Sequence, residues 1–84
     1  MNKDEKILKK IIENFQKSTI ENGVYALGIC VKNQSDACLF PQTFHDACML
    51  YAALGNKIMK QYNADIFTFQ NEVSKFYQEM TRRA

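Results

Sequence analysis

The run Ala47-Cys48-Met49-Leu50-Tyr51-Ala52-Ala53-Leu54-Gly55 carries no charge over nine residues, within a stretch of helical spacing. A helix with one apolar stripe lies on a core, whereas one that is apolar all round must be covered from more than one side. A chain of 84 residues has little material for that covering. The run is therefore expected either to centre a small core or to meet another chain.

The flanking sequence predicts where the remaining elements begin and end. A first helix is expected from Lys3 to Glu21, capped by Asn2 with Glu5 in the capping-box position and stopped by Asn22-Gly23. At 100° per residue, Ile7, Leu8, Ile11, Ile12 and Phe15 gather on one face, with Lys3, Lys6, Lys10 and Lys17 nearly opposite. Residues 24–31 and 37–40 are short and apolar. Asn33, Gln34, Ser35 and Asp36 lie between them, which is a hairpin signal. The first strand is apolar on both alternations. Its smaller face, Val24, Ala26, Gly28 and Cys30, suits a closely approaching backbone.

Pro41 ends the second strand, and Thr43 caps a second helix with Asp46 in its first turn. Phe44, Ala47, Tyr51, Leu54, Ile58 and Tyr62 form its main apolar face, leaving Met49, Leu50, Ala52 and Ala53 off that face. After the break at Asn63-Ala64-Asp65, a third helix places Ile66, Phe69, Val73, Phe76 and Met80 at the 3-4 spacing of a helix-packing seam. Phe67 points away from that seam, and Arg82 and Arg83 suit the helix C-terminus. The order helix, strand, strand, helix, helix predicts a single α+β domain over residues 1–84. In it, a two-stranded antiparallel hairpin packs against three helices.

Composition narrows the class further. At 46% hydrophobic and 24% charged, the chain is an ordinary globular one rather than a disordered one. A net charge of +2 announces neither nucleic acid nor membrane without local clustering. Cys30, Cys38 and Cys48 cannot all pair within one chain, and the charged start Met1-Asn2-Lys3-Asp4-Glu5-Lys6 is unlike a secretory leader. Free thiols and a cytoplasmic location are expected. No stretch approaches the ~18 consecutive apolar residues of a membrane span.

Catalytic signatures are lacking. Gly23, Gly28 and Gly55 are isolated, so no phosphate-binding loop is present. His45 with Cys48 has no third group to complete a nucleophilic site. Cys30, Cys38, His45 and Cys48 could form a zinc site only if the hairpin loop brought the two strand cysteines face to face. Their spacing is unlike a paired-cysteine knuckle, so no metal and no cofactor is assigned.

The reading that remains is a small non-enzymatic protein-interaction module, an adaptor, inhibitor or assembly factor, that self-associates as a homodimer or higher. Its expected interface is Met49, Leu50, Ala52, Ala53, Asn56, Lys57, Lys60 and Phe67, apolar residues beside polar ones in the first half of helix two and in helix three. The free hairpin edge is a further place for a second copy or another strand to pair. An alternative is a DNA- or RNA-binding module using Lys3, Lys6, Lys10 and Lys17, with Glu13 expected to pair with Lys10 and Lys17. A second alternative is a small-ligand or metal-binding dimer built on Tyr25, Tyr51 and the cysteines. The short Asn63-Ala64-Asp65 link would also permit helices two and three to swap between subunits.

Overall fold

The computed structural model describes residues 2–83 and shows a mixed α+β chain with the expected order of elements. These are α1 (Lys3–Glu21), β1 (Gly28–Lys32), β2 (Ser35–Leu39), α2 (Phe44–Gln61) and α3 (Ile66–Arg83). The chain clusters into two compact units, Met1–Tyr51 and Ala52–Ala84, divided within α2.

Helix α1 starts where its capping residues dictate. Asn2 Oδ1 accepts the Glu5 N–H at 2.8 Å, and Asn2 Nδ2 donates to Glu5 Oε1 at 3.4 Å. The capping box is thus closed by the Asn2 side chain on both strokes. At the other end Gly23 adopts φ +64, the Gly23 N–H donates to the Ile20 carbonyl and the Val24 N–H to the Thr19 carbonyl. That is a Schellman motif, and its left-handed position is where glycine has no Cβ penalty.

The strands differ from expectation. β1 begins at Gly28 rather than Val24, and the connection is two residues, Asn33-Gln34, rather than four. Asn33 takes φ 56, a left-handed value at the first central position that belongs to the primed hairpin turns, whose twist matches the strands. Ser35 and Asp36, turn formers by composition, are thereby drawn into β2 opposite Lys32 and Val31. The pairing continues with Cys30 opposite Ala37, Ile29 opposite Cys38 and Gly28 opposite Leu39.

Directly opposed residues share a sheet face, so Gly28, Cys30, Ala37 and Leu39 form one side. This is the small-residue face anticipated for a close backbone, and α1 packs on it, chiefly against β2. The Cys30 thiol reaches to 4.0 Å from the Leu8 carbonyl oxygen. Leu8 and Leu39, 3% and 5% exposed, are the buried hydrophobic residues among those described. Each contributes about 1.5–3 kcal/mol by leaving water. Ile7 and Ile12 are half-buried, while Ile11 and Phe15 on the same helix face remain exposed. A polar clamp fixes the turn to α1. Asp4 accepts from Asn33 Nδ2 at 2.8 Å and pairs with Lys32 Nζ at 3.5 Å. The Asn33 hydrogen bond, helped by Lys32, holds the Asp4 carboxyl below its ordinary value of 3.8.

In the second unit, the corner after α2 repeats the device of α1 with asparagine in place of glycine. Asn63 takes φ 51, its N–H donates to the Lys60 carbonyl and that of Ala64 to the Met59 carbonyl. Asp65 Oδ1 then accepts the Thr68 N–H at 2.8 Å and caps α3, and this bond holds the Asp65 carboxyl below 3.8. Gly55 is buried here, with Phe69 beside it. A Cβ on Gly55 would stand 3.2 Å from Phe69 Cε2, so the missing side chain is the space the ring uses.

Candidate interaction surface

Helix α2 begins at its predicted cap, with the Asp46 N–H donating to Thr43 Oγ1 at 3.1 Å. Its faces, however, are not divided as the periodicity suggests. Of the expected core face, Phe44 is 85% exposed, Tyr62 76%, and Tyr51 and Leu54 about half, leaving only Ala47 and Ile58 half-buried. The helix instead buries Gly55, with Met59 half-buried one turn on. Periodicity marks which residues are apolar. It does not mark which side a neighbouring helix will take, and a glycine permits the closest approach.

The expected interface residues fall as follows. Met49, Ala53, Asn56 and Lys60 recur at spacings of four, three and four, which places them along one face of α2, and all are exposed. Lys57 and Ala52 are exposed beside them, whereas Leu50 is half-buried. Phe67 is 76% exposed on α3, about 200° round that helix from Phe69 at the usual advance per residue. The space beside Gly55, the last residue of the charge-free run, is occupied by Phe69 of the same chain.

The 3-4 seam of α3 is only partly covered. Phe69 and Val73 are half-buried, but Ile66, Phe76 and Met80 are 43%, 57% and 63% exposed, with Tyr77 exposed beside them. Sequence reasoning assigned all five seam residues to packing. The spacing does signal a packing surface, but it carries no information on whether the partner lies in the same chain. The Arg83 side chain lies outside the described residues.

The hairpin presents a further apolar face. Ile29 and Val31, 65% and 64% exposed, stand with Cys38 on the side of the sheet away from α1. The two-residue turn also decides the metal question for the strands. Cys30 sits on the α1 side and Cys38 on the other, so they do not face each other. Among the described residues no group of three or more His, Cys, Asp or Glu is placed to hold a metal.

Two open clefts lie in the first unit. One of about 410 Å³ is lined by Gln16, Ile20, Tyr25, Phe40, Pro41 and Asp46, among others. Asp46 is the one carboxylate among its lining residues. The other, about 550 Å³, runs between α1 and β2 and includes Glu5, Lys9, Glu13, Asp36 and Cys38. On α1 itself, Lys3, Lys6, Lys10 and Lys17 are all exposed. The expected pairing of Glu13 with Lys10 and Lys17 does not form. The ion pairs of Lys32 with Asp4 and of Lys75 with Glu72 lie elsewhere.

No helix in the described residues is long and apolar enough to cross a membrane. No protein-family model matches this chain, and no curated protein or solved structure is similar to it.

Proposed function

We propose that this chain is a small, non-enzymatic protein-interaction module of the cytoplasm that self-associates through the exposed first half of α2, through α3, or through both. One observation carries the reading. Among the described residues only Leu8 and Leu39 are buried hydrophobics, while Met49, Phe67, Phe76, Tyr77 and Met80 are each more than half exposed. Large apolar side chains left in water on so small a chain mark contact sites. On α2 the apolar Met49 and Ala53 grade into Asn56, Lys57 and Lys60, an apolar centre with a polar rim. Sedimentation at tens of micromolar, the weak end of specific association, tests it. The expected result is a dimer or larger species, and a single chain at that concentration removes the proposal.

A second reading is favoured by the bare lysine face of α1, where Lys3, Lys6, Lys10 and Lys17 lack the Glu13 pairs that would offset them. Four phosphate contacts would make log K fall against log salt with a slope of roughly −3 to −4. An oligonucleotide that shows no binding at low salt disposes of it.

A further inference from the structure

The two edges of the hairpin differ in what borders them. β2 runs beside α1, and the charged cleft of Glu5, Lys9, Glu13 and Asp36 borders it. β1 has no such charged cleft along its edge. Lys32 and Ser35 flank a two-residue turn and are therefore a hydrogen-bonded pair, so alternation makes Cys30–Ala37 and Gly28–Leu39 hydrogen-bonded as well. The backbone N–H and C=O groups of Ile29 and Val31 then point away from β2. Among the described residues nothing takes them.

Natural edge strands are usually blunted by lysine, proline, a bulge or an inward-pointing charge. β1 is blunted only at its end, where Lys32 is turned to Asp4. Its open stretch is Ile29-Cys30-Val31, with two β-branched residues about two-thirds exposed.

We infer that β1 is the strand-pairing edge for a second copy of this chain, antiparallel and centred on Cys30. The choice of a second copy, and of this register, follows from self-complementarity. Centring on Cys30 sets Ile29 opposite Val31 of the other copy and Val31 opposite its Ile29. The residues with outward-facing backbone groups then meet each other, and each pair exchanges both bonds. Centring on Ile29 or Val31 instead would pair one of them with itself and carry the other past the end of the strand. The Cys30 register also sets Lys32 opposite Gly28, so no like charges meet. On the outer face Ile29 and Val31 form cross-strand β-branched pairs. On the inner face the two Cys30 residues become a non-hydrogen-bonded pair with Cα atoms about 4.5 Å apart, which is within disulfide reach. α1 leaves room for this because it sits chiefly over β2.

This pairing rests on the proposed self-association but names a different surface from α2 and α3, so the two can fail separately. The test uses the full chain, kept reduced, with sedimentation and residue-resolved amide exchange on the same sample. In the associated form the Ile29 and Val31 amides should exchange at least about tenfold more slowly than after dilution to single chains. Cys30 and Lys32, bonded to β2, should be protected in both. A Cys38→Ser, Cys48→Ser variant treated with diamide should give a covalent dimer joined at Cys30. There the two thiols lose their hydrogens to the diamide, which becomes the hydrazine, as the sulfur–sulfur bond forms. An associated protein whose Ile29 and Val31 amides exchange freely overturns the β1 pairing and leaves self-association standing. A single chain at tens of micromolar overturns both.

Discussion

Single residues set the ends of every element in this chain, and their chemistry is simple enough to test one at a time. Gly23 has φ +64 with nothing within 4 Å of where a Cβ would lie, so Gly23→Ala meets backbone strain alone. It should cost about 1–2 kcal/mol, read from urea unfolding, with Gly23→Asn costing less because asparagine tolerates the left-handed region. Asp65 offers a pH test. Its folded carboxyl sits below the ordinary 3.8, so its contribution is present above that value and fades as pH falls through the lowered one. Asp65→Asn keeps an oxygen for the Thr68 N–H but cannot titrate. Its helical circular dichroism should therefore lose the part of the acid transition that Asp65 contributes, and an unchanged acid limb would show that the cap does not couple to folding. These positions were also the most legible in sequence. Asn2 with Glu5, Asn22-Gly23, Thr43 and Asp65 each act within a few residues, so local reading suffices.

Elements were legible in type but less so in extent and facing. The bounds of β1 and β2 are not local in the sequence, because the first strand is apolar on both alternations, which leaves no period to mark its start. Ser35 and Asp36 also resemble turn residues until Asn33 closes the turn ahead of them. The clamp from Asp4 to Lys32 and Asn33 joins α1 to the turn across a long stretch of chain, and no local pattern announces it. For α2 and α3, the decisive contact is Gly55 against Phe69 rather than the stripe of large residues. A helical glycine is worth about 0.5–1 kcal/mol less than alanine. Gly55→Ala gains that amount but drives a Cβ to 3.2 Å from the Phe69 ring. The substitution should therefore be stabilising in a Phe69→Leu background and near neutral or unfavourable in the native one. Equal effects in the two backgrounds, measured by thermal unfolding as a double-mutant cycle, would mean that the contact is not made.

For the molecule as a whole, the charge-free run from Ala47 to Gly55 does not become a core. Met49 is half exposed and Ala53 is open, while the buried hydrophobics lie elsewhere, at Leu8 and Leu39. The exposure of Met49 and Ala53 was legible because a charge-free helix needs more cover than a short chain has. The exposed end of α3 was not, since a seam has the same spacing whether its partner is internal or external. Met49→Asp and Ala53→Arg should each shift the sedimenting species to single chains while the circular dichroism spectrum stays native. Loss of the spectrum with the association would place these residues in the fold instead. The asymmetry of the hairpin has a last consequence. Strand addition that begins at β1 leaves β2 as the outer rim, which is bordered by Glu5, Lys9, Glu13 and Asp36. Charges at an edge oppose further pairing, so the same backbone exposure that invites one partner is a poor road to fibrils.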